Sequence, residues 1–373
     1  MRVLTVVGTR PEAIKMAPVI QRLQQTDGMQ SRVCVTAQHR EMLDQVLALF
    51  EIQPDIDLNL MIPDQTLAEL SAAIFTGLDP VIRTEKPDWL LVQGDTTTVM
   101  VAAILAYYNR VRIGHVEAGL RTWNKWQPFP EEINRKIASV LADLHFAPTK
   151  QSQANLLAEG VPEEHIVISG NPVIDALLQV VEQPYQPTEP PLSEIPDDRR
   201  VILLTAHRRE NFGEPFERIF SAIGDLAREY ADQIHILYPV HLNPNVQEPA
   251  RRLLADLANV SLVEPLDYLP MAYWMKRAAI ILTDSGGLQE EAPALGTPVL
   301  VLRERTERPE ALEAGTAKLV GSDPARILSE VRTLLDDPQA HAAMAQAKNP
   351  FGDGRAAERI VQALINYPKS PAS

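Results

Sequence analysis

One cysteine stands in a chain of 373 residues. Cys34 has no partner for an intramolecular disulfide, and a chain that does without disulfides suits a reducing compartment. Aromatic residues are scarce, at 5% against 45% hydrophobic residues overall. A core built from Val, Leu, Ile and Ala fits an ordinary α/β protein. Positive charge is in deficit, with 35 Lys and Arg against 49 Asp and Glu and a formal net charge of -14. An acidic surface argues against nucleic acid or an anionic membrane as partner, and any anionic ligand must be met by a local basic cluster. No apolar run approaches the ~18 residues of a membrane helix, and no charged segment followed by an apolar one opens the chain. The cytoplasm is the expected location. The first strand-to-helix turn has neither the GxGxxG pattern of a dinucleotide site nor a P-loop. There is no GxSxG elbow for a serine nucleophile. His39, His115 and His241 are scattered, without metal-ligand spacing, so neither metal nor cofactor is expected.

What is present is alternation. Apolar runs of strand length are expected as strands over 3–7, 32–37, 89–93, 112–117, 144–147 and 166–169, with helices such as 12–24, 98–108 and 131–142 between them. After Asp175 the pattern breaks, and Pro184, Pro187, Pro190, Pro191 and Pro196 predict a linker. The alternation resumes with strands at 201–205, 234–240, 261–263, 280–283, 298–302 and 318–320, and helices such as 214–230, 245–257 and 271–276. The length exceeds one usual core. The expected fold is α/β: two doubly wound Rossmann-like domains, 1–175 and 200–353, a Pro-rich linker at 176–199, and a C-terminal segment 354–373 that carries a last helix. Two such domains facing a cleft bind ligands at the C-terminal ends of their strands.

Chemistry-bearing residues fall at those ends. In Thr283-Asp-Ser-Gly-Gly-Leu-Gln-Glu-Glu-Ala292, a strand precedes the glycines and a helix is expected over 288–295. Ser285, Gly286 and Gly287 then present free N–H groups at a positive helix end, a cradle for a diphosphate. An Asp N-cap with a plain glycine turn explains the stretch equally well. Glu290 and Glu291 suit a ribose diol. The first strand ends in Gly8-Thr-Arg-Pro-Glu-Ala-Ile-Lys15, with Pro11 at the first helical position, Arg10 beside it and Lys15 a turn further on. Asp95, Glu117 and Glu131 each close a strand or open a helix. Singly, Asp95 reads as an N-cap and Glu131 as a complement to a helix dipole. Together they crowd like charge into one crevice and set their pKa values apart, as acid and base require. His207, flanked by Arg208, Arg209 and Asn211, closes the first strand of the second domain and can carry a proton or meet a phosphate.

Set side by side, these stretches resemble the non-hydrolysing UDP-N-acetylglucosamine 2-epimerases. The matching blocks include Gly8-Thr-Arg-Pro-Glu-Ala-Ile-Lys-Met-Ala-Pro18, Thr36-Ala-Gln-His-Arg40, Gly94-Asp-Thr96, His115-Val-Glu-Ala-Gly-Leu-Arg-Thr122 and Pro130-Glu-Glu-Ile-Asn-Arg135. Thr205-Ala-His-Arg-Arg-Glu-Asn211, Tyr238-Pro-Val-His-Leu-Asn-Pro244, Asp284-Ser-Gly-Gly-Leu-Gln-Glu-Glu291 and Thr306-Glu-Arg-Pro-Glu310 follow in order. The resemblance implies the GT-B architecture, with the last helix packed back on the first domain. It implies a homodimer that interconverts UDP-GlcNAc and UDP-ManNAc without NAD or metal, its product feeding surface polysaccharides. UDP leaves C1 as the C2 proton is lost, giving 2-acetamidoglucal, and re-addition with protonation from the opposite face inverts C2. Family catalytic positions match Asp95, Glu117, Glu131 and His207. UDP-binding positions match Arg10, Lys15, Ser285, Gly286, Gly287 and Glu291. A site for an activating second UDP-GlcNAc matches Gln38, His39, Arg209 and His241, but Glu41 and Asp64 stand where family members often carry Gln and Arg. Two carboxylates there would repel a diphosphate. A GT-B glycosyltransferase, which needs an acceptor groove, and a silent nucleotide-sugar sensor, which would have lost its carboxylates, are the competing readings.

Overall fold

The computed structural model describes residues 1–36, 40–60, 62 and 64–368, without the side chains of 40–42. The chain divides into two compact units. One comprises Met1–Ala176 and the segment from Phe351 on, the other Leu177–Pro350.

The first unit is built on a parallel sheet of β1 (Arg2–Val7), β2 (Gln30–Val35), β3 (Ile56–Asp57), β4 (Trp89–Gln93), β5 (Arg112–Val116), β6 (Leu144–Ala147) and β7 (Ile166–Ile168). Their spatial order is β3-β2-β1-β4-β5-β6-β7. The strands are near-continuous apolar runs because helices cover both faces: all of β4 and the last five residues of β1 are buried. Leu4, Val6, Leu90 and Val92 pack with Ile74, Leu78 and Ile82 of the helix Leu67–Glu85 and with Val99, Ala102 and Leu105 of the helix Thr97–Tyr108. The second unit repeats the plan with β8 (Arg200–Thr205), β9 (Ile234–Pro239), β10 (Val260–Val263), β11 (Ala278–Thr283), β12 (Val299–Val301) and β13 (Ala317–Leu319), ordered β10-β9-β8-β11-β12-β13 and parallel throughout. Its core joins Ile202, Leu204 and Ile236 to Phe216, Ile219, Phe220 and Ile223 of the helix Glu214–Glu229.

In each sheet the winding reverses once, between β1 and β4 and between β8 and β11. In doubly wound sheets ligands bind at such a switch point, outside the C-terminal ends of the strands.

Differences from the sequence reading include one helix end, one short helix and one strand. The helix Pro172–Val180 runs on past Asp175 into the expected linker, because Val173, Ile174, Leu177 and Val180 keep a helical spacing and are all buried. The helix expected over 288–295 is a six-residue α-helix, Gly286–Glu291, followed by a 3-10 turn, Ala292–Leu295. Pro293 has no N–H to continue the α ladder. Strand β3 was not expected; it has two residues and no period to read. The helix Ala356–Asn366 belongs to the first unit, where it packs on the helix Arg10–Gln24. Among the described residues, no helix is long and apolar enough to cross a membrane.

Candidate active site

Arg10 and Lys15 follow β1 and Asp95 follows β4, the switch-point strands of the first unit, while Glu117 follows the neighbouring β5. Thr9 caps the helix Arg10–Gln24, so Arg10, not Pro11, takes the first helical position. Gly8 cannot be larger: a Cβ there would sit 2.6 Å from Thr98 Oγ1 and 2.8 Å from Thr36 Oγ1. Arg10 is half-buried, whereas Lys15 reaches inward and places Nζ 2.7 Å from both carboxylate oxygens of Glu117. Lys15, expected on a diphosphate, is therefore engaged with a carboxylate.

Glu117 follows β5. It is 6% exposed and adopts φ +61, the left-handed region. A non-glycine residue held there costs on the order of 1–3 kcal/mol, and such strain gathers at functional sites. Besides Lys15, Asn171 Nδ2 donates to Oε1 at 2.9 Å and Gln93 Nε2 donates to Oε2. The buried charge is thus compensated on both oxygens.

Asp95 follows β4 and Gly94, whose φ of +81 suits glycine. Its bland reading as an N-cap fails, because Thr96 caps the helix Thr97–Tyr108. The Asp95 carboxylate instead meets Arg135, at 2.8 Å from Nε and 2.6 Å from Nη2. Arg135 lies one turn after Glu131 on the helix Glu131–Leu141 and also reaches Glu132, 3.3 Å away. Glu132, fully buried, accepts the N–H groups of Thr122 and Trp123 at 3.0 Å each, tying down the loop between the second and third carboxylates. Glu131 opens its helix, and its Oε2 is buried without a hydrogen-bond partner among the described residues. An acceptor withheld from water and left unpaired is uncommon in a native fold.

Glu12 is a further buried acid beside these turns. Oε2 accepts the Gly8 N–H at 3.0 Å and Oε1 accepts the Thr96 hydroxyl at 2.9 Å. Burial pushes its pKa up from 4.5 to about 7.

The second unit presents a complementary set. Asp284, after β11, is fully buried and is not an N-cap. It turns back across the switch point and accepts the N–H groups of His207, at 2.9 and 3.1 Å, and Arg208, at 2.8 Å, and the Asn211 amide at 3.1 Å. The His207 Nδ1 lies 3.4 Å from Asp284, and the imidazole stacks on His241 with centroids 5.7 Å apart. Burial holds the His207 pKa below its usual 6.5; Asp284 pulls it up, while Arg208 and His241 push it down. Ser285 opens the helix Gly286–Glu291, but its own N–H is taken by the Thr283 hydroxyl at 2.9 Å; no side chain caps the helix, so among the described residues the N–H groups of Gly286 and Gly287 are left for a cradle. The Arg208 guanidinium reaches over Gly286, 3.7 Å from where a Cβ would stand, and its Nε is buried without a hydrogen-bond partner among the described residues. Glu290, expected on ribose, is buried in an ion pair with Arg308. Glu291 stays half-buried and accepts a long hydrogen bond from the Tyr268 hydroxyl, at 3.3 Å.

Of the residues matched to an activator site, Gln38 and His39 lie outside the described residues, as does the Glu41 side chain. Arg209, His241 and Asp64 are exposed. Among the described residues, no group of three or more His, Cys, Asp or Glu is arranged to hold a metal ion.

Sequence reasoning missed Glu12, Gln93, Asn134, Arg135, Asn171 and the inward role of Asp284. Gln93 offered a signal, a polar residue ending a five-residue buried strand. Asn134 and Arg135 offered another, three and four residues after Glu131 on the same helical face.

A family model described as UDP-N-acetylglucosamine 2-epimerase matches residues 21–365. The chain is 55% identical over 372 residues to the probable UDP-N-acetylglucosamine 2-epimerase of Ralstonia solanacearum, covering 98% of this chain and 99% of that one. It is 53% identical over 373 residues to the UDP-N-acetylglucosamine 2-epimerase of Escherichia coli K12, with the same coverage of 98% and 99%. The solved UDP-GlcNAc 2-epimerase of Neisseria meningitidis, bound to UDP-GlcNAc, matches with a TM-score of 0.88 at 51% identity, covering 98% of this chain and 100% of that one.

Proposed function

The chain belongs to the UDP-N-acetylglucosamine 2-epimerase family, and we propose that it interconverts UDP-GlcNAc and UDP-ManNAc by eliminating and re-adding UDP. The C2 proton of the sugar has no neighbouring carbonyl to acidify it. A base takes that proton as the C1–O bond breaks and its electrons leave with UDP, forming the C1=C2 bond of 2-acetamidoglucal. Protonation of C2 from the other face, with return of the UDP oxygen to C1, gives the epimer. The reaction needs two proton-transfer groups and a clamp on the leaving diphosphate. Asp95, Glu117 and Glu131 are the proposed proton-transfer groups. Arg10, the uncapped Ser285-Gly286-Gly287 turn and His207 are the proposed clamp, with Glu291 on the ribose. The observation that carries this reading is Glu117: a buried carboxylate on strained backbone, ion-paired with Lys15, at the C-terminal end of β5, next to the switch-point strand β4. We also propose a cytoplasmic homodimer that works without metal.

The test is proton NMR of UDP-GlcNAc with the protein in D2O. The expected outcome is UDP-ManNAc carrying deuterium at C2. Free sugar would mean a hydrolase, and no change in the absence of an acceptor would mean a transferase or a sensor. Retention of protium at C2 would exclude separate acid and base groups.

Regulation follows from Glu41 and Asp64. A second UDP-GlcNAc beside the first must hold about two negative charges. At an effective dielectric of ~20, a like-charge pair ~6 Å apart costs on the order of 2–3 kcal/mol. We expect epimerisation of pure UDP-ManNAc without a lag, or activation only at much higher UDP-GlcNAc than in relatives with Gln and Arg at these positions. Strict dependence of that reverse reaction on micromolar UDP-GlcNAc would overturn the expectation.

A further inference from the structure

The turn Gly94-Asp95-Thr96 is bonded at each of its three residues by a side chain from another element. His115 of β5 places Nε2 2.7 Å from the Gly94 carbonyl. Asn134 Nδ2 donates to the Asp95 carbonyl at 2.9 Å. The Asp95 carboxylate is held by Arg135, and the Thr96 hydroxyl donates to Glu12. His115, Asn134 and Glu12 are 0%, 3% and 2% exposed. Burying three such polar groups is unfavourable unless each is bonded, and their bonds converge on this one turn. The strand ladder does not require them, since the Gly94 N–H already bonds the Val116 carbonyl at 3.0 Å.

We infer that His115 and Asn134 are positioning residues, which fix the carbonyls on either side of the Asp95 α-carbon so that its carboxylate meets the sugar in one geometry. The inference rests on the reading of Asp95 as a proton-transfer group. A carbonyl only accepts, so the His115 Nε2 carries the proton and Nδ1 is left as a lone pair. Nδ1 is buried without a hydrogen-bond partner among the described residues. Burial lowers the His115 pKa to about 4, so the ring is neutral where the enzyme works. His145 stands directly beside it in register on β6, and a proton on either ring opposes one on the other. The ring is thereby kept as a one-proton donor with a single orientation. Asn134 lies one turn beyond Glu131 on the same helix, so the segment that carries one carboxylate also sets the turn that carries another. Misplacement of a reacting group by ~1 Å can cost on the order of a hundredfold in rate.

The test compares His115→Leu, His115→Gln, Asn134→Ala and Asp95→Asn. Gln at 115 restores an N–H donor about as far from the main chain as Nε2, whereas Leu does not. Steady-state epimerisation gives kcat, and calorimetry with UDP gives affinity and sites per chain. His115→Leu and Asn134→Ala are expected to lose about 10–100-fold in kcat, the scale of such a misplacement, while still binding one UDP per chain with unchanged affinity. His115→Gln is expected to recover most of that loss. The inference is overturned by wild-type kcat in His115→Leu or Asn134→Ala, by a His115→Gln variant as impaired as His115→Leu, or by sites per chain falling in step with kcat. Wild-type activity in Asp95→Asn would instead remove the reading on which the inference rests. An impaired Asp95→Asn beside unimpaired His115 and Asn134 variants would remove the positioning role alone.

Discussion

Arg10 and Lys15 leave the same helix and serve different ends. Lys15 is drawn to Glu117 at 2.7 Å, whereas Arg10 stays half-buried beside the helix start. Arg10→Ala should therefore weaken UDP binding by roughly 1.5–3 kcal/mol, the scale of a charge-assisted hydrogen bond. Lys15→Gln should leave UDP affinity nearly intact and lower kcat, because Glu117 then loses its cation. Calorimetry with UDP separates the two, and equal losses of affinity would return Lys15 to the diphosphate. Glu12 leads to a prediction about pH. Its pKa, about 7 in the fold and 4.5 for a solvated carboxyl, means that the folded state binds the extra proton between those values. The stability Glu12 contributes is complete below pH 4.5 and is lost as pH rises through 7, at up to about 1.4 kcal/mol per pH unit. Glu12→Gln should flatten the urea midpoint between pH 5 and 7.5. An unchanged slope would mean that Glu12 is ionised throughout. The carboxylates at this site were legible because each ends an apolar run or starts a helix. Their holders were not: Asn171 lies 54 residues from Glu117 and Arg135 lies 40 from Asp95, and no local pattern says which strands become neighbours.

At the level of elements, the helix Ala356–Asn366 shows what sequence period can and cannot tell. Its length and apolar stripe were plain. Its cap was not, because the residue that caps it is in another helix. Arg355 offers no side-chain cap, and Asp175 accepts the N–H groups of Ala356 at 3.1 Å and Ala357 at 2.8 Å. Asp175→Ala leaves both donors unsatisfied and should cost about 1–2 kcal/mol, the scale of a lost N-cap. Chemical denaturation followed by a signal from the first unit checks this, and a change below ~0.5 kcal/mol would mean that water replaces the carboxylate. The same dependence on distant partners explains why the expected linker was placed too early. Prolines mark where a chain cannot be regular, yet the buried stripe Val173, Ile174, Leu177 and Val180 carries the preceding helix past Asp175.

For the molecule as a whole, alternation of strands and helices gave two doubly wound units, since parallel strands must be joined through crossover helices. It could not show that the first unit is discontinuous. Phe351, Ile360, Val361 and Leu364 are each no more than 2% exposed within that unit. At about 1.5–3 kcal/mol per buried side chain they contribute roughly 6–12 kcal/mol, as much as a whole domain's usual net stability. A chain ending at Pro350 should therefore yield, under limited proteolysis, a protected fragment near 177–350 and a digested first unit. Equal protection of both would refute this. The contact between Asp175 and Ala356 also spans 181 residues. A ribosome adding about 5–20 residues per second takes roughly 10–40 s to cover that distance. The half of the protein translated first is thus the half completed last. Its apolar face waits, open to chaperones or to another nascent copy, while the half translated second folds ahead of it.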